Sequence, residues 1–310
     1  MVNKKKQKSR KTPKPRKRER GFPLPNERIG DLFYKVDSEY GEAEEIEYLH
    51  QKNFENGFLE IVPFYFAGDW EDQADEHYDK ELDLSPLTQF QDIRSLCLSQ
   101  MGYIKDFSPL QQLQNLETLQ IKYDFEWHFD VLNDETNKIP NHIFSSLPLL
   151  EKLKKFEYEL QIYDTKTLEA IVRNMPNLES INLTTSSGYT LIPEEHFDFD
   201  DPDDYELNEE LNVELSTLLD LKKLKHLKIL FTNSIREWDY SFFRALGETK
   251  IPLRTLRIIE RNWSKEITSW HPINRTDVID NLFEISKVKT LEELHLDLHD
   301  QHRASWEVTP

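Results

Sequence analysis

A six-residue pattern, leucine-x-x-leucine-x-leucine with Ile, Phe or Tyr sometimes replacing Leu, recurs seven times between residues 83 and 300. It appears as Ile93-Arg-Ser-Leu96-Cys-Leu98, Leu116-Glu-Thr-Leu119-Gln-Ile121, Leu153-Lys-Lys-Phe156-Glu-Tyr158 and Leu178-Glu-Ser-Ile181-Asn-Leu183. It returns as Leu224-Lys-His-Leu227-Lys-Ile229, Leu253-Arg-Thr-Leu256-Arg-Ile258 and Leu291-Glu-Glu-Leu294-His-Leu296. The first residues are separated by 23, 37, 25, 46, 29 and 38 positions. One coil of about 20–29 residues fits the shortest gaps, and the longer ones contain insertions. The alternation at the end of each motif predicts a short strand with apolar residues inward and the x positions outward. No single unit can bury its apolar side, so neighbours must stack and their strands must run parallel. The pattern therefore predicts an α/β solenoid over residues 83–300, with a parallel sheet along its concave side.

These motifs resemble those of the leucine-rich-repeat family. The first two units are similar to the internalin-type variety, in which a Ser-Pro-Leu segment precedes the helical side. Asp83-Leu-Ser-Pro86-Leu87 leads into the first motif, and Ile104-Lys-Asp-Phe-Ser-Pro109-Leu110 leads into the second. Later units are looser, as in Ile139-Pro-Asn-His-Ile-Phe144 and Met175-Pro-Asn-Leu178. The family usually places Asn three residues after the last apolar position, where its amide satisfies backbone groups between coils. This chain has Met101, Asp124, Gln161, Ser186, Thr232, Arg261 and His299 there, which predicts irregular repeats and uneven curvature. The resemblance implies that partners are gripped on the concave x positions, an association through fold and family.

Outside the repeats the chain changes character. Residues 1–26 hold four prolines and few apolar side chains, too little to offset ordering entropy, and are expected to be a disordered basic tail. Residues 27–82 suit an amino-terminal cap with an acidic loop from Asp69 to Asp83. Ile29, Leu32, Phe33 and Val36 share one helical face, and Ile46, Leu49 and Phe54 partly do so again, predicting one or two short helices. Leu59-Glu-Ile-Val-Pro-Phe-Tyr-Phe66 predicts a strand, with Pro63 favouring an edge. Residues 301–310 are expected to be a carboxy-terminal tail.

Charge divides the chain further. The net charge is −19, yet residues 1–20 carry eleven Lys or Arg against Glu19, leaving −29 on the other 290 residues. Such a body should stay soluble and repel bulk nucleic acid and anionic membrane. Its x positions nevertheless include Lys154, Lys155, Lys225, His226, Lys228, Arg254 and Arg257, with Glu179 interrupting the series and Glu292 and Glu293 ending it. These are either ordinary solvated strand residues or a seat for an acidic or phosphorylated protein partner, where Arg can make bidentate contacts. In the tail, Lys4, Lys5, Lys6, Arg16, Lys17 and Arg18 form clusters suited to weak polyanion binding, nuclear import or solubility.

Catalytic motifs are sparse. Only eight glycines occur and no two lie within six residues, so neither a dinucleotide fingerprint nor a P-loop can be built. No H-E-x-x-H or G-x-S-x-G is present. One cysteine, Cys97, excludes an intramolecular disulfide framework, and its x position predicts an exposed surface thiol. Residues 194–210 hold ten acids, but as a calcium loop from Asp198 they place Pro202 at the fifth position and Asp203 where Gly is needed. His295, Asp297 and His299 line one strand face about 7 Å apart, too far to converge on one metal. No cofactor is implied. Leu24-Pro-Asn-Glu27-Arg-Ile-Gly-Asp-Leu-Phe33 faintly resembles the opening of an F-box, a helical module that couples some repeat proteins to ubiquitin ligases.

No apolar run approaches the roughly 20 residues of a membrane span, and the basic terminus lacks the apolar segment of a secretory signal. The leading expectation is a non-catalytic intracellular interaction scaffold, cytoplasmic, or nuclear in a eukaryote. The alternatives are a nucleic-acid-associated protein working through its tail and a ubiquitin-ligase substrate adaptor.

Overall fold

A computed structural model describes residues 21–36, 43–64, 82–99, 104, 106–122, 144, 146–162, 165–185, 213–231, 240–260, 282–297 and 306–308. Among these, eleven strands form one sheet whose order follows the sequence. Strands β1 (Arg28–Ile29), β2 (Leu32–Tyr34) and β3 (Phe58–Pro63) pair antiparallel. Eight consecutive strands then run parallel: β3, β4 (Ser95–Ser99), β5 (Thr118–Lys122), β6 (Lys155–Ile162), β7 (Ser180–Thr185), β8 (His226–Phe231), β9 (Thr255–Glu260) and β10 (Glu293–Asp297). An antiparallel β11 (Trp306–Val308) closes the far edge. The architecture is an α/β leucine-rich-repeat-like solenoid, capped at both ends by antiparallel pairing.

All seven motifs share one register. Leu96, Leu119, Phe156, Ile181, Leu227, Leu256 and Leu294 are successive partners, as are Leu98, Ile121, Tyr158, Leu183, Ile229, Ile258 and Leu296. Both rows face the continuous core, where Leu96, Leu119, Leu256 and Ile229 have no exposed surface. In the first six motifs the carbonyl at the second position accepts two N–H groups from the next coil. Arg94 O takes those of Glu117 (2.7 Å) and Thr118 (3.0 Å), and Arg254 O takes those of Glu292 (2.7 Å) and Glu293 (3.0 Å). Glu117, Lys154, Glu179 and Lys225 repeat the arrangement. A backbone ladder thus does part of what the missing asparagines would do. Asn115 and Asn177, one residue before their motifs, add side-chain bonds to the carbonyls of Gln91 and Glu151. Of the positions where Asn is usual, Gln161 is described, and the register of β6 against β7 shifts between Tyr158 and Gln161.

The side opposite the sheet varies from coil to coil. Ser85–Gln89 and Ser108–Gln112 are 3-10 turns, each held by the preceding aspartate. Asp83 and Asp106 accept the backbone N–H (2.8 Å) and the hydroxyl (2.7 Å) of Ser85 and Ser108. Helix α2 (Thr165–Asn174) buries Thr167, Leu168, Ala170 and Ile171, and α3 (Tyr240–Glu248) buries Phe242, Phe243 and Leu246. Ser108 N–H first, and its hydroxyl second, hold the Asp106 carboxyl below its ordinary range. A depressed carboxylate stabilises fully above its unfolded pKa, about 3.9, and that share is lost as pH falls through the folded value. Asp106→Ala removes two hydrogen bonds that solvent screens in this exposed turn, and is therefore expected to cost less than about 1 kcal/mol at pH 7, with the gap to the parent closing in acid. Urea titrations at the two pH values check this.

The cap differs from expectation in three places. The apolar residues at 29–36 form the β1–β2 hairpin, not a helix. Leu32, Tyr34 and Val36 are buried with a period of two, and Gly30 turns the chain at φ 68°, a conformation most side chains resist. The spacing of Ile29, Leu32, Phe33 and Val36 fits a helical face, but Tyr34 is buried in place of Phe33, and the glycine sets the turn. The same hairpin occupies the F-box-like segment Leu24 to Phe33, so that stretch lacks the helical form of such a module. Strand β3 is interior, not an edge, because Pro63 lies past the last β4 contact, Ile61 with Leu98. Its missing N–H therefore interrupts no parallel ladder. Helix α1 (Ala43–Asn56) is present as expected.

Two boundaries also move. Residues 21–26, assigned by composition to the tail, pack on the cap. Phe22 meets Tyr34 (5.7 Å) and Phe54 (5.6 Å) edge-on, and Pro23 is buried. Residues 306–308, assigned to the carboxy-terminal tail, supply β11, whose Trp306 and Val308 pair with Leu296 and Leu294. Composition averages over such short segments and so does not separate them from the tails.

Candidate functional site

Strand alternation sorts the polar motif positions into separate rows. The second positions form a leading row before the strands: Arg94, Glu117, Lys154, Glu179, Lys225, Arg254 and Glu292. The third positions begin the strands and form a first open row: Ser95, Thr118, Lys155, Ser180, His226, Thr255 and Glu293. The fifth positions form a second open row: Glu60, Cys97, Gln120, Glu157, Asn182, Lys228, Arg257 and His295. These open rows are the side of the sheet that faces away from the core.

The basic residues singled out in the sequence therefore do not make one stripe. Lys154, Lys225 and Arg254 stand in the leading row and meet glutamates of neighbouring coils. Lys154 bonds Glu117 at 2.6 Å, Lys225 bonds Glu179 at 2.7 Å, and Arg254 approaches Glu292 at 3.8 Å. Hydrogen bonding first, and charge second, lower the carboxyl pKa of Glu117 and Glu179 and raise that of Lys154. In the open rows, Arg257 is bonded to Glu293, and the His226 ring lies 2.9 Å from the Thr255 hydroxyl. The side chains of Lys155 and Lys228 remain, without an ion pair or hydrogen bond to any described residue. These ion pairs are half-exposed and each contributes little to stability. Their consequence is local charge: Lys154, Lys225 and Arg254 meet acids within the leading row, whereas on the open face Lys155 and Lys228, and Lys122 further along β5, meet none among the described residues.

Three features escaped the sequence reading. Glu157 gathers Gln120 (2.6 Å) and Asn182 (2.7 Å) into a closed amide–carboxylate network at the centre of the second open row. Leu230 and Ile259, partners in register, continue the open face two residues beyond Lys228 and Arg257 and are half-buried. The doublets Ile229-Leu230 and Ile258-Ile259 were the available signal, since the second member of each must face outward. The third is a correction. Cys97 is buried, at 2% exposure, between Glu60 and Gln120, and not an exposed thiol. Burial pushes its pKa up to about 11, against the opposing hydrogen bond from Ser99, so at neutral pH it stays a thiol.

Other candidates fall partly or wholly elsewhere. Lys4, Lys5, Lys6, Arg16, Lys17 and Arg18, the acidic stretch 194–210 and His299 lie outside the described residues. His295 and Asp297 project from β10, and no group of three His, Cys, Asp or Glu that could hold a metal occurs among the described residues. No helix among the described residues is long and apolar enough to cross a membrane.

No family model and no curated protein matches the chain. Among solved structures it is similar to a Bacteroides fragilis protein at 16% identity and a TM-score of 0.37, over 86% of this chain and 84% of that one. It is also similar to an internalin of Listeria monocytogenes at 15% identity and a TM-score of 0.20, over 81% of this chain and 84% of that one.

Proposed function

We propose that the chain is a non-catalytic interaction scaffold that holds an acidic segment of a protein partner on the open face of its sheet. Lys155, Lys228 and Arg257 are the contacting cations. One observation carries this reading. Lys154, Lys225, Arg254 and Arg257 each face a glutamate of a neighbouring coil, whereas Lys155 and Lys228 face none among the described residues. In a body of net −29 such cations favour a carboxylate brought by another molecule. Arg257 can add a second contact while bonded to Glu293, because its guanidinium has five donors. A phosphorylated segment is served by the same groups.

A labelled poly-glutamate peptide tests the reading. The triple variant Lys155→Glu, Lys228→Glu, Arg257→Glu should bind it at least about tenfold more weakly, a factor worth about 1.4 kcal/mol. Lys154→Gln, in the leading row, should bind it as the parent does. Equal binding by the triple variant removes the open face from consideration. Residues 1–20, with eleven basic side chains, favour a second activity, weak polyanion binding that falls steeply with salt. A chain beginning at residue 21 should lose RNA and DNA binding at low salt and keep the peptide. Such an activity suits either a cytoplasmic or a nuclear protein.

A further inference from the structure

The open face changes chemistry along β8 and β9. Lys228 and Arg257 are register partners in the second open row, and Leu230 and Ile259 are register partners two residues further on. Both aliphatic residues are half-buried and point away from the core that Ile229 and Ile258 complete. Thr184 precedes them on β7 and Asp297 follows on β10, each a register partner of its neighbour. A cationic pair therefore abuts an aliphatic pair, and an acid bounds the aliphatic pair on one side.

Resting on the scaffold reading above, we infer that the segment held here is extended and carries a carboxylate two residues from an aliphatic or aromatic side chain. Successive same-face residues of a strand are about 6.6–6.8 Å apart, and an extended partner segment has the same spacing. A carboxylate over Lys228 and Arg257 then brings the residue two positions along over Leu230 and Ile259. The residue between them faces away and is unconstrained. Charge sets the assignment. A carboxylate over the aliphatic pair would lie beside Asp297 and far from either cation, so only the other placement pairs charges. The aliphatic pair supplies what a lone cation cannot, because covering Leu230 and Ile259 removes apolar surface from water. The order of the two partner residues follows the direction in which the segment runs.

Three labelled peptides of identical composition, otherwise Ser and Gly, test this. One has Glu two residues before Leu, one has Leu two residues before Glu, and one has Glu and Leu adjacent. At least one of the spaced peptides should bind the full chain about tenfold more tightly than the adjacent one. The double variant Leu230→Ser, Ile259→Ser should abolish that preference while leaving poly-glutamate binding unchanged. Leu230→Thr with Ile259→Thr serves the same purpose with side chains better suited to a strand, and thermal melts of each variant establish that it is folded. Equal binding of all three peptides, or a preference that survives in folded Ser and Thr variants, overturns the inference. Poly-glutamate binding that Lys228→Glu weakens while the spacing has no effect sinks the inference alone. Indifference of poly-glutamate to Lys155→Glu, Lys228→Glu and Arg257→Glu sinks the scaffold reading beneath it. Light scattering separates a peptide complex from self-association, and a dimer that the spaced peptide does not dissociate also overturns the inference.

Discussion

Leu256→Asp is expected to abolish cooperative unfolding at neutral pH. Leu256 has no exposed surface and lies in register between Leu227 and Leu294 in the inward row. A carboxylate there has no cationic partner, and an unpaired buried charge costs several kcal/mol even after relaxation. Domains of this kind have about 5–15 kcal/mol to lose, so the loss approaches the whole. Leu256→Ala should cost about 2–5 kcal/mol, from lost burial and the cavity left behind. Each coil touches only its neighbours, so the damage should begin at β8, β9 and β10 and spread outward. Urea unfolding followed by circular dichroism and by tryptophan fluorescence measures both. An Asp variant that melts like the parent would place Leu256 on the solvent side and remove the inward assignment.

Gly57→Val should be the second most damaging single change, though the sequence offers no apolar motif there. Gly57 ends α1, donating its N–H to the Phe54 carbonyl at 3.1 Å, with φ at 63°. A left-handed conformation costs a residue with a side chain about 1–2 kcal/mol, and a β-branched one more. A Cβ there would also lie 2.9 Å from the backbone oxygen of Asp92 and 3.1 Å from the nitrogen of Arg94. Neither is a flexible chain end, so backbone must shift. The shift matters because the Gly57 carbonyl accepts the N–H groups of Arg94 (2.8 Å) and Ser95 (2.9 Å), the first rung of the ladder that joins the coils. A loss of about 3 kcal/mol is expected, with Gly57→Ala somewhat milder. Equilibrium denaturation checks it, and a loss below about 1 kcal/mol would mean that α1 does not end against the first coil.

That glycine shows how much of the fold was legible in the sequence and where legibility ended. The seven motifs gave the strands, their parallel order and their inward residues, because a period of two repeated at coil spacing has few other solutions. The same pattern hid an eighth coil. Leu59 and Ile61 pair with Leu96 and Leu98 as any motif would, but Asn56 replaces the leading leucine and Gly57 takes the second position. A leading leucine fills the turn before the strand, and here α1 ends there, so a glycine was needed. The hairpin at 28–34 differs from the helix that the spacing of Ile29, Leu32, Phe33 and Val36 suggests, because Gly30 turns the chain and Tyr34, not Phe33, enters the core.

The open face was legible only in composition. Sequence places Lys154 and Lys155 side by side as equals, yet the strand begins between them. One belongs to the leading row and is bonded to Glu117, whereas the other stands on the face. Which cations keep an unspent charge depends on which acids the neighbouring coils bring, and those lie 37 and 46 residues away in sequence, as Glu117 and Lys154 or Glu179 and Lys225 do. Cys97 illustrates the same limit: it stands at an outward position, in register between Glu60 and Gln120, and is nevertheless buried, a tertiary fact that alternation does not carry.

The central claim is that consecutive motifs stack in one register from β3 to β10. Methyl-to-methyl nuclear Overhauser spectra of a Leu, Ile and Val methyl-labelled chain test it most directly, using the inward row as the probe. The register predicts cross-peaks linking Leu59 to Leu96 and Leu96 to Leu119. It predicts others linking Ile181 to Leu227, Leu227 to Leu256 and Leu256 to Leu294, with none between Leu59 and Leu119. Cross-peaks that skip a neighbour, or that join Leu227 to Ile259 in place of Leu256, would contradict the stacked register and with it the open face built upon it.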